Sequence, residues 1–352
     1  MATQLANNDV VSLPAELDPT DVVTTPFPNG GGLPLFIQPR NDLLSSSLDA
    51  AIEWVGANRP AIDALMHAYG AVVLRGFPFW TTAAFQRVLD HYDYADFDYS
   101  GGASPRGQID GKVFEATHAP AEALLGMHQE MAYMPHFPGH LGFYCRIPPA
   151  SGGETHIADM RLFTAALNPA FRAELEKRGV RYTRNFRDPN RSVGDAGQDI
   201  FHKTWTDTFG TTDPDEAVEK ARAMQLVPEW QTNGSLSCSY TARGLIEHPV
   251  TGETLSFNQI PTQSLTRQNL GPRFAMYDRI YGDHTPRPYN TSFGDGTPIP
   301  EEFLDSLYTI MQPLIVAFPW SAGDVMLIDN YRVAHGRNSY TGRRDVQVAL
   351  LK

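Results

Sequence analysis

Two cysteines, Cys145 and Cys238, are the only thiols in a chain of 352 residues. So few exclude a disulfide framework and a cysteine-rich zinc site, and they fit a reducing cytoplasm. Basic runs are missing too. The formal net charge is −12 and no stretch gathers Lys and Arg, which argues against a nucleic-acid partner. The acidic surplus supports solubility and says little about substrate. Apolar runs such as Ala71 to Leu74 are too short to span a bilayer, and Met1 to Asp21 hold no apolar signal core. No Gly-x-Gly-x-x-Gly follows a strand pattern, which disfavours a doubly wound nucleotide fold. Neither a repeat nor a low-complexity tract is found. These absences leave a soluble protein, expected in the cytoplasm, with neither membrane nor nucleic acid as its partner.

Hydrophobic residues make up 42% of the chain and charged residues 19%, an ordinary globular balance with enough material for one large domain or two small ones. Residues 1–32 are rich in Pro, Gly, Asn and Asp and close on Gly30-Gly31-Gly32; they are expected to be a leader that wraps the domain or frays. Leu48 to Ala57 reads as one helix. A second is expected to start at Pro60, with Ile62, Leu65, Met66 and Tyr69 at helical spacing and a stop at Gly70. Ala71 to Leu74 reads as a buried strand, and Thr82 to Asp93 as an amphipathic helix. Tyr99 to Arg106 is a loop by composition. Leu141 to Ile147, Thr254 to Gln259, Val325 to Ile328 and Val346 to Leu351 read as strands. Asn168-Pro169 and Asp213-Pro214 open helices, and Phe303 to Ile315 is helical. Short strands dominate the second half, so the fold expected is mainly β with helical decoration.

The most informative segment is Met127-His128-Gln129-Glu130-Met131. His and carboxylate at i and i+2 point the same way from a strand, so both can ligate one metal. A second histidine would complete a two-His, one-carboxylate face with open positions, which suits an iron(II) that must bind a bidentate cosubstrate and O₂. His335 is the candidate, following the strand Val325 to Ile328 in Asp329-Asn330-Tyr331-Arg332-Val333-Ala334-His335. Beyond it come Arg343 and Arg344; a guanidinium near the metal can bind the distal carboxylate of a dicarboxylate bidentately. Thr155, in Ser151-Gly152-Gly153-Glu154-Thr155, can add a hydroxyl to the same carboxylate.

In their order, His128-Gln129-Glu130, Gly152-Gly153-Glu154-Thr155, His335-Gly336-Arg337 and Arg344 resemble the taurine dioxygenase-like (TauD/TfdA) family of Fe(II)/2-oxoglutarate oxygenases. Gly102 to Arg106, His128 to Tyr133, His248-Pro249-x-Thr251-Gly252-Glu253 and Phe257-Asn258-Gln259 look closer to the subgroup of the syringomycin-pathway aspartate hydroxylase and clavaminate synthase-like proteins. The resemblance covers about residues 65–352. It implies a double-stranded β-helix (a cupin-like jelly roll) forming a single domain over 33–352, with a helical and loop insert around 180–300. It implies iron on His128, Glu130 and His335, and the 2-oxoglutarate C5 carboxylate on Thr155 and Arg344, with O₂ as second cosubstrate. Arg344, two residues after Gly342 as in the subgroup, is favoured over Arg343. Taurine dioxygenase carries Asp where this chain has Glu130, so the longer carboxylate sides with the subgroup.

The reaction expected is hydroxylation, or a related oxidation, of a free or carrier-bound amino acid in secondary metabolism. Catabolic cleavage of a small sulfonate or carboxylic acid is a second enzymatic reading; a non-catalytic jelly roll that binds a small ligand is a third, of another class. A halogenase is disfavoured, since Glu130 stands where chloride would have to bind. Arg106 is read either as the binder of the substrate carboxylate or as a solvated loop charge, and Arg337 as a rim ion pair or a pocket residue. His136, His140 and His156 read as loop or surface histidines, His118 and His248 as turn or pocket-wall residues. Tyr133, Phe137, Phe143 and Tyr144 read as core, and Asp213 to Arg222 as a solvated helix face.

Overall fold

A computed structural model describes residues 17–28, 31–97, 107–117, 119–191, 202–264, 266–271, 274–281 and 287–352. Arg106 and His118 lie outside the described residues. In chain order the strands are β1 (Val22–Pro26), β2 (Leu35–Pro39), β3 (Ala71–Leu74), β4 (Gln108–Asp110), β5 (Val113–Glu115), β6 (Leu125–His128), β7 (His140–Ile147), β8 (Ser151–Gly152), β9 (Ile157–Asp159), β10 (Val180–Phe186), β11 (Val227–Trp230), β12 (Leu236–Ala242), β13 (Leu245–Glu247), β14 (Thr254–Ser256), β15 (Tyr289–Phe293), β16 (Val325–Asp329), β17 (Val333–Arg337), β18 (Tyr340–Thr341) and β19 (Asp345–Leu351). Eight form a large sheet in the order β1-β2-β3-β16-β7-β19-β5-β4, and three a small one, β6-β17-β9. Part of the stretch read as a leader, Val22–Pro26, is thus the edge strand of the large sheet, paired with β2.

From β5 onward the chain alternates between the two sheets. β5, β7, β16 and β19 lie in the large sheet; β6, β9 and β17 lie in the small one, to which Val316 adds a bridge at Ile157. The side-chain period of two explains what this encloses. Met326 and Ile328 of β16 join Phe143 and Cys145 of β7 and Met127, Ile157, Val333 and Ala334 of the small sheet in one buried cluster. Val325 and Leu327, on the opposite face, join a second cluster with the helix Leu48–Tyr69. β16 is covered on both faces, which is why it reads as an unbroken apolar run.

That helix corrects one expectation. It is continuous from Leu48 to Tyr69 with Pro60 inside it, not a pair of helices. An interior proline costs about 3 kcal/mol. Ile52 and Val55 before it, and Ile62, Leu65 and Met66 after it, all belong to the same buried cluster. Burying each such side chain contributes about 1.5–3 kcal/mol, so one unbroken apolar stripe outweighs the missing hydrogen bond. Gly70 caps the helix at φ 87°, as its position suggests.

The strand expected over Thr254 to Gln259 stops at Ser256. Asn258 donates to the Ser256 hydroxyl at 2.8 Å and to the Gly244 carbonyl at 3.3 Å, and Gln259 reaches Gln129; amide side chains here take bonds that a ladder would otherwise supply. Within 180–300, β11-β12-β10-β15 form a separate four-stranded sheet with its own buried cluster around Phe186, Trp205, Phe209 and Leu236, while Tyr182 and Phe293 tie it to the main core. Among the described residues no helix is long and apolar enough to cross a membrane.

Candidate active site

β17 runs between β6 and β9, and this sets His335 directly opposite His128 on one side and Ile157 on the other. The two imidazoles lie with ring centroids 4.3 Å apart. One donor atom from each of His128, Glu130 and His335 falls within 4.8 Å of the other two, and His335 Nε2 stands 3.5 Å from Glu130 Oε2. His128 Nδ1 lies 2.8 Å from the Gly126 carbonyl. That contact places the ring proton on Nδ1 and leaves the Nε2 lone pair for a ligand. The His335 ring meets Phe143 edge-on at 5.3 Å. Glu130 and His335 are buried and His128 half-buried. Two imidazoles and one hard carboxylate at this spacing fit a divalent iron ion.

Glu130 does not lie on the strand with His128. β6 ends at His128, and Glu130 stands in the turn that follows. The side chain of Asn330, wholly buried between β16 and β17, replaces the missing ladder. Glu130 N–H donates to Asn330 Oδ1 at 2.7 Å, while Asn330 Nδ2 donates to the carbonyls of Glu130 at 3.1 Å and Pro138 at 2.8 Å. Met131 then adopts φ 58°, uncommon for a residue with a side chain, and turns the chain back. Gln129, also fully buried, donates to the Tyr331 carbonyl at 2.8 Å, and its own carbonyl accepts from Gln259 at 2.6 Å. The sequence reading gave neither amide a role. The available signal was position: Gln129 sits between two proposed ligands, and Asn330 in the turn leading to the third.

Asn330→Ala strips three hydrogen bonds from buried backbone groups, each costing about 1–3 kcal/mol when left unmade. The variant is expected to melt several degrees lower and to hold iron at least tenfold more weakly, as calorimetry and metal analysis would show. Unchanged iron affinity would remove Asn330 from the support of Glu130.

Thr155 is buried, and its Oγ1 accepts from Trp320 Nε1 at 3.3 Å. It precedes by two residues Ile157, the cross-strand partner of His335. Arg344 is half-buried and Arg343 exposed, which separates the two arginines physically. Arg344 Nε donates to the Gly153 carbonyl at 2.9 Å, and the guanidinium lies 5.6 Å from the Tyr340 ring centroid. Gly153 permits this approach, because a Cβ there would meet Arg344 Cδ at 3.1 Å. Burial, and secondarily the charge of Arg337, push the Arg344 guanidinium down to about 10. No carboxylate of the described residues pairs with it. A partly buried cation that no carboxylate pairs favours an arriving anion.

Among the described residues Arg337 makes no rim ion pair. Its guanidinium is buried and donates to the carbonyls of Ala119 at 3.0 Å, Ala123 at 2.6 Å and Pro120, tying down the loop that leads into β6. His136 is exposed and His140, at the start of β7, is half-buried, but His156 is not a surface histidine. His156 is buried and bonds Asn338 at 2.9 Å, and His140 bonds the Lys352 carbonyl. None of these joins the trio. Tyr133, Phe143 and Tyr144 are buried core residues, and Phe137 is half-buried against Phe257 at 4.4 Å.

Residues 45–350 match the model of the family described as taurine catabolism dioxygenase TauD, TfdA family. The chain belongs to this family. It is an Fe(II)- and 2-oxoglutarate-dependent dioxygenase, as such family members are. A clavaminate synthase-like protein of Arabidopsis thaliana is 30% identical over 312 residues, covering 87% of this chain and 88% of that one. The dapdiamide synthesis protein DdaC of Enterobacter agglomerans is 29% identical over 307 residues, covering 87% and 89%. Among solved structures, PvcB of Pseudomonas aeruginosa aligns with a TM-score of 0.51 at 15% identity, over 96% of this TauD-family chain and 94% of the other. That likeness is one of fold.

Proposed function

We propose that His128, Glu130 and His335 hold the catalytic iron(II), and that Arg344 and Thr155 bind the C5 carboxylate of 2-oxoglutarate. We further propose that the substrate is a free or carrier-bound amino acid or a close derivative, hydroxylated at an unactivated C–H bond in secondary metabolism. The convergence of two imidazoles and one carboxylate within 4.8 Å carries this reading. On the same reading, the alternation of β5 to β19 between two sheets is a double-stranded β-helix, and residues 33–352 form one domain whose insert spans about 180–300. Two free, buried thiols suit a cytoplasmic enzyme.

Iron with 2-oxoglutarate and O₂ supplies the oxidant that breaks the C–H bond. The protein's own task is placement. The Gly126 carbonyl fixes the tautomer of His128. Asn330 and Gln129 fix the backbone that aims Glu130. Arg344 offers the cosubstrate a guanidinium that no carboxylate of the described residues pairs. Glu130 fills the position that a halogenase leaves to chloride, which favours hydroxylation.

The dapdiamide relative is named for a synthesis and supports a biosynthetic role; the family description, taurine catabolism, favours the alternative, cleavage of a small sulfonate. Incubating the protein with Fe(II), 2-oxoglutarate and air against panels of amino acids and sulfonates separates them. A product heavier by one oxygen atom, matched by succinate, is expected from the amino-acid panel. Sulfite release from the sulfonate panel alone would overturn the assignment, and absence of succinate with every compound would favour a ligand-binding protein.

Arg106 is proposed, from the resemblance, to meet the substrate carboxylate. Arg106→Ala is then expected to raise the substrate KM about 10- to 100-fold, the loss of one charge-assisted bond, and to leave 2-oxoglutarate binding unchanged. Succinate should form in excess over product, because a loosely held substrate misplaces its C–H bond. Steady-state kinetics counting both products decides; unchanged KM and coupling would leave Arg106 a solvated charge.

A further inference from the structure

A second constellation of metal-ligating side chains stands at the ends of the central strands of the large sheet. Asp329, the last residue of β16, pairs across the ladder with His140, the first residue of β7. His67 reaches them from the last turn of the helix Leu48–Tyr69. One donor atom from each of the three lies within 4.8 Å of the others. His67 Nδ1 is 3.0 Å from Asp329 Oδ2, a few tenths of an ångström inside the roughly 3.3–3.4 Å between neighbouring ligands on a tetrahedral ion with bonds of about 2.0–2.1 Å. His140 Nδ1 bonds the Lys352 carbonyl, so its proton sits there and its Nε2 lone pair is left to ligate.

The surroundings orient this set as outer partners orient metal ligands. Asp329 Oδ1 accepts from the N–H groups of Tyr331 at 3.0 Å and Arg332 at 3.3 Å. Oδ2 accepts from His248 Nε2 at 2.7 Å. His248 Nδ1 in turn accepts from the N–H groups of Val250 at 3.1 Å and Thr251 at 3.0 Å. Those two bonds put the His248 proton on Nε2, so His248 serves the carboxylate as a donor and is not itself a ligand. This accounts for the His248-Pro249-x-Thr251-Gly252 turn, to which the oxygenase reaction assigns no part. His67, His140 and His248 line a cavity of about 650 Å³, together with Phe137, Pro138 and Tyr331. None of His128, Glu130 and His335 lines it, and it gives an ion and its water a route in.

We propose that His67, His140 and Asp329 form a second metal site, which takes one divalent cation of the zinc class and is distinct from the trio His128, Glu130 and His335. Two imidazoles and one carboxylate select a borderline ion of this kind over the oxygen-seeking Mg²⁺ and Ca²⁺. The rival account is a network of hydrogen bonds that holds no ion. A bound ion would brace the β16–β17 turn, in which the next residue, Asn330, holds the backbone of Glu130.

The test is Zn²⁺ uptake by chelator-stripped protein, followed by titration calorimetry with Zn²⁺ alone. Wild-type protein is expected to bind two equivalents and the variant His128→Ala/His335→Ala one. His67→Gln or His140→Gln, in either background, should remove one equivalent or weaken it at least tenfold, with circular dichroism unchanged. Glutamine keeps the ability to donate a hydrogen bond, so a purely hydrogen-bonding role would survive it. Zn²⁺ uptake indifferent to both glutamine variants overturns the proposal, as does a folded double variant that binds none. A single equivalent in wild type and double variant alike, abolished by His67→Gln, would uphold the second site and refute the iron-site assignment. If the double variant does not fold, the change from two equivalents to one in His67→Gln alone decides.

Discussion

Replacing His335 with alanine is expected to abolish turnover and weaken iron retention by more than about 100-fold, while the fold persists. Loss of an outer partner of a metal ligand already costs about 10- to 100-fold, and this change removes one of three proposed ligands. The fold should survive because His335 contributes to the small sheet mainly through its backbone, which pairs with β6 and β9. The side chain itself makes a ring contact with Phe143, so the stability lost belongs with ordinary single substitutions, about 0.5–3 kcal/mol. His128→Ala should behave alike, with a smaller stability change because the residue is only half-buried. Metal analysis of the purified variants, alongside circular dichroism, makes the comparison. Wild-type iron content and activity in either one would refute the ligand set.

The second large effect is expected at Arg344. Arg344→Ala should weaken 2-oxoglutarate binding about 10- to 100-fold, the equivalent of a hydrogen bond to a charged group worth about 1.5–3 kcal/mol. Arg343→Ala should change it less than about twofold, as for an exposed charge screened by solvent. The asymmetry rests on burial. Desolvation lowers the Arg344 pKa, meaning that its positive charge is costly until an anion arrives, whereas Arg343 is exposed. Anaerobic titration of the Fe(II)–2-oxoglutarate absorption band gives both constants. Equal losses, or a larger loss at Arg343, would reverse the assignment.

The parts legible in the sequence are those governed by local pattern. Val325 to Ile328 and Ala71 to Leu74 show as strands because both faces are covered, and Gly70, Asn168 and Asp213 mark helix ends through the backbone and capping chemistry they supply. His128, Glu130 and His335 stood out by residue type and order. The geometry that joins them did not, because it depends on contacts between distant segments. His-x-Glu looks like two residues of one strand, yet the strand ends at the histidine and Asn330, some 200 residues further along, holds the carboxylate's backbone. Arg337 looked like a partner for an acid and instead satisfies three carbonyls of one loop. Pro60 looked like a helix start, since local rules cannot weigh its cost against an apolar stripe that continues on both sides. His67 drew no attention, because its companions His140 and Asp329 come from other elements.

The cross-strand register of His128 and His335 also has a topological meaning. An ion held by both would fasten together points separated by roughly 200 residues of chain, enclosing in one loop the whole of the insert together with β7, β9 and β16. Treated as a cross-link in the manner of a disulfide, such a closure restricts the unfolded chain by about 5 kcal/mol at 25 °C, to the extent that the ion stays bound as the chain unfolds. Iron would then be a fastener as well as a reagent. Its loss would be felt in regions that never touch it, including the β10–β12 sheet.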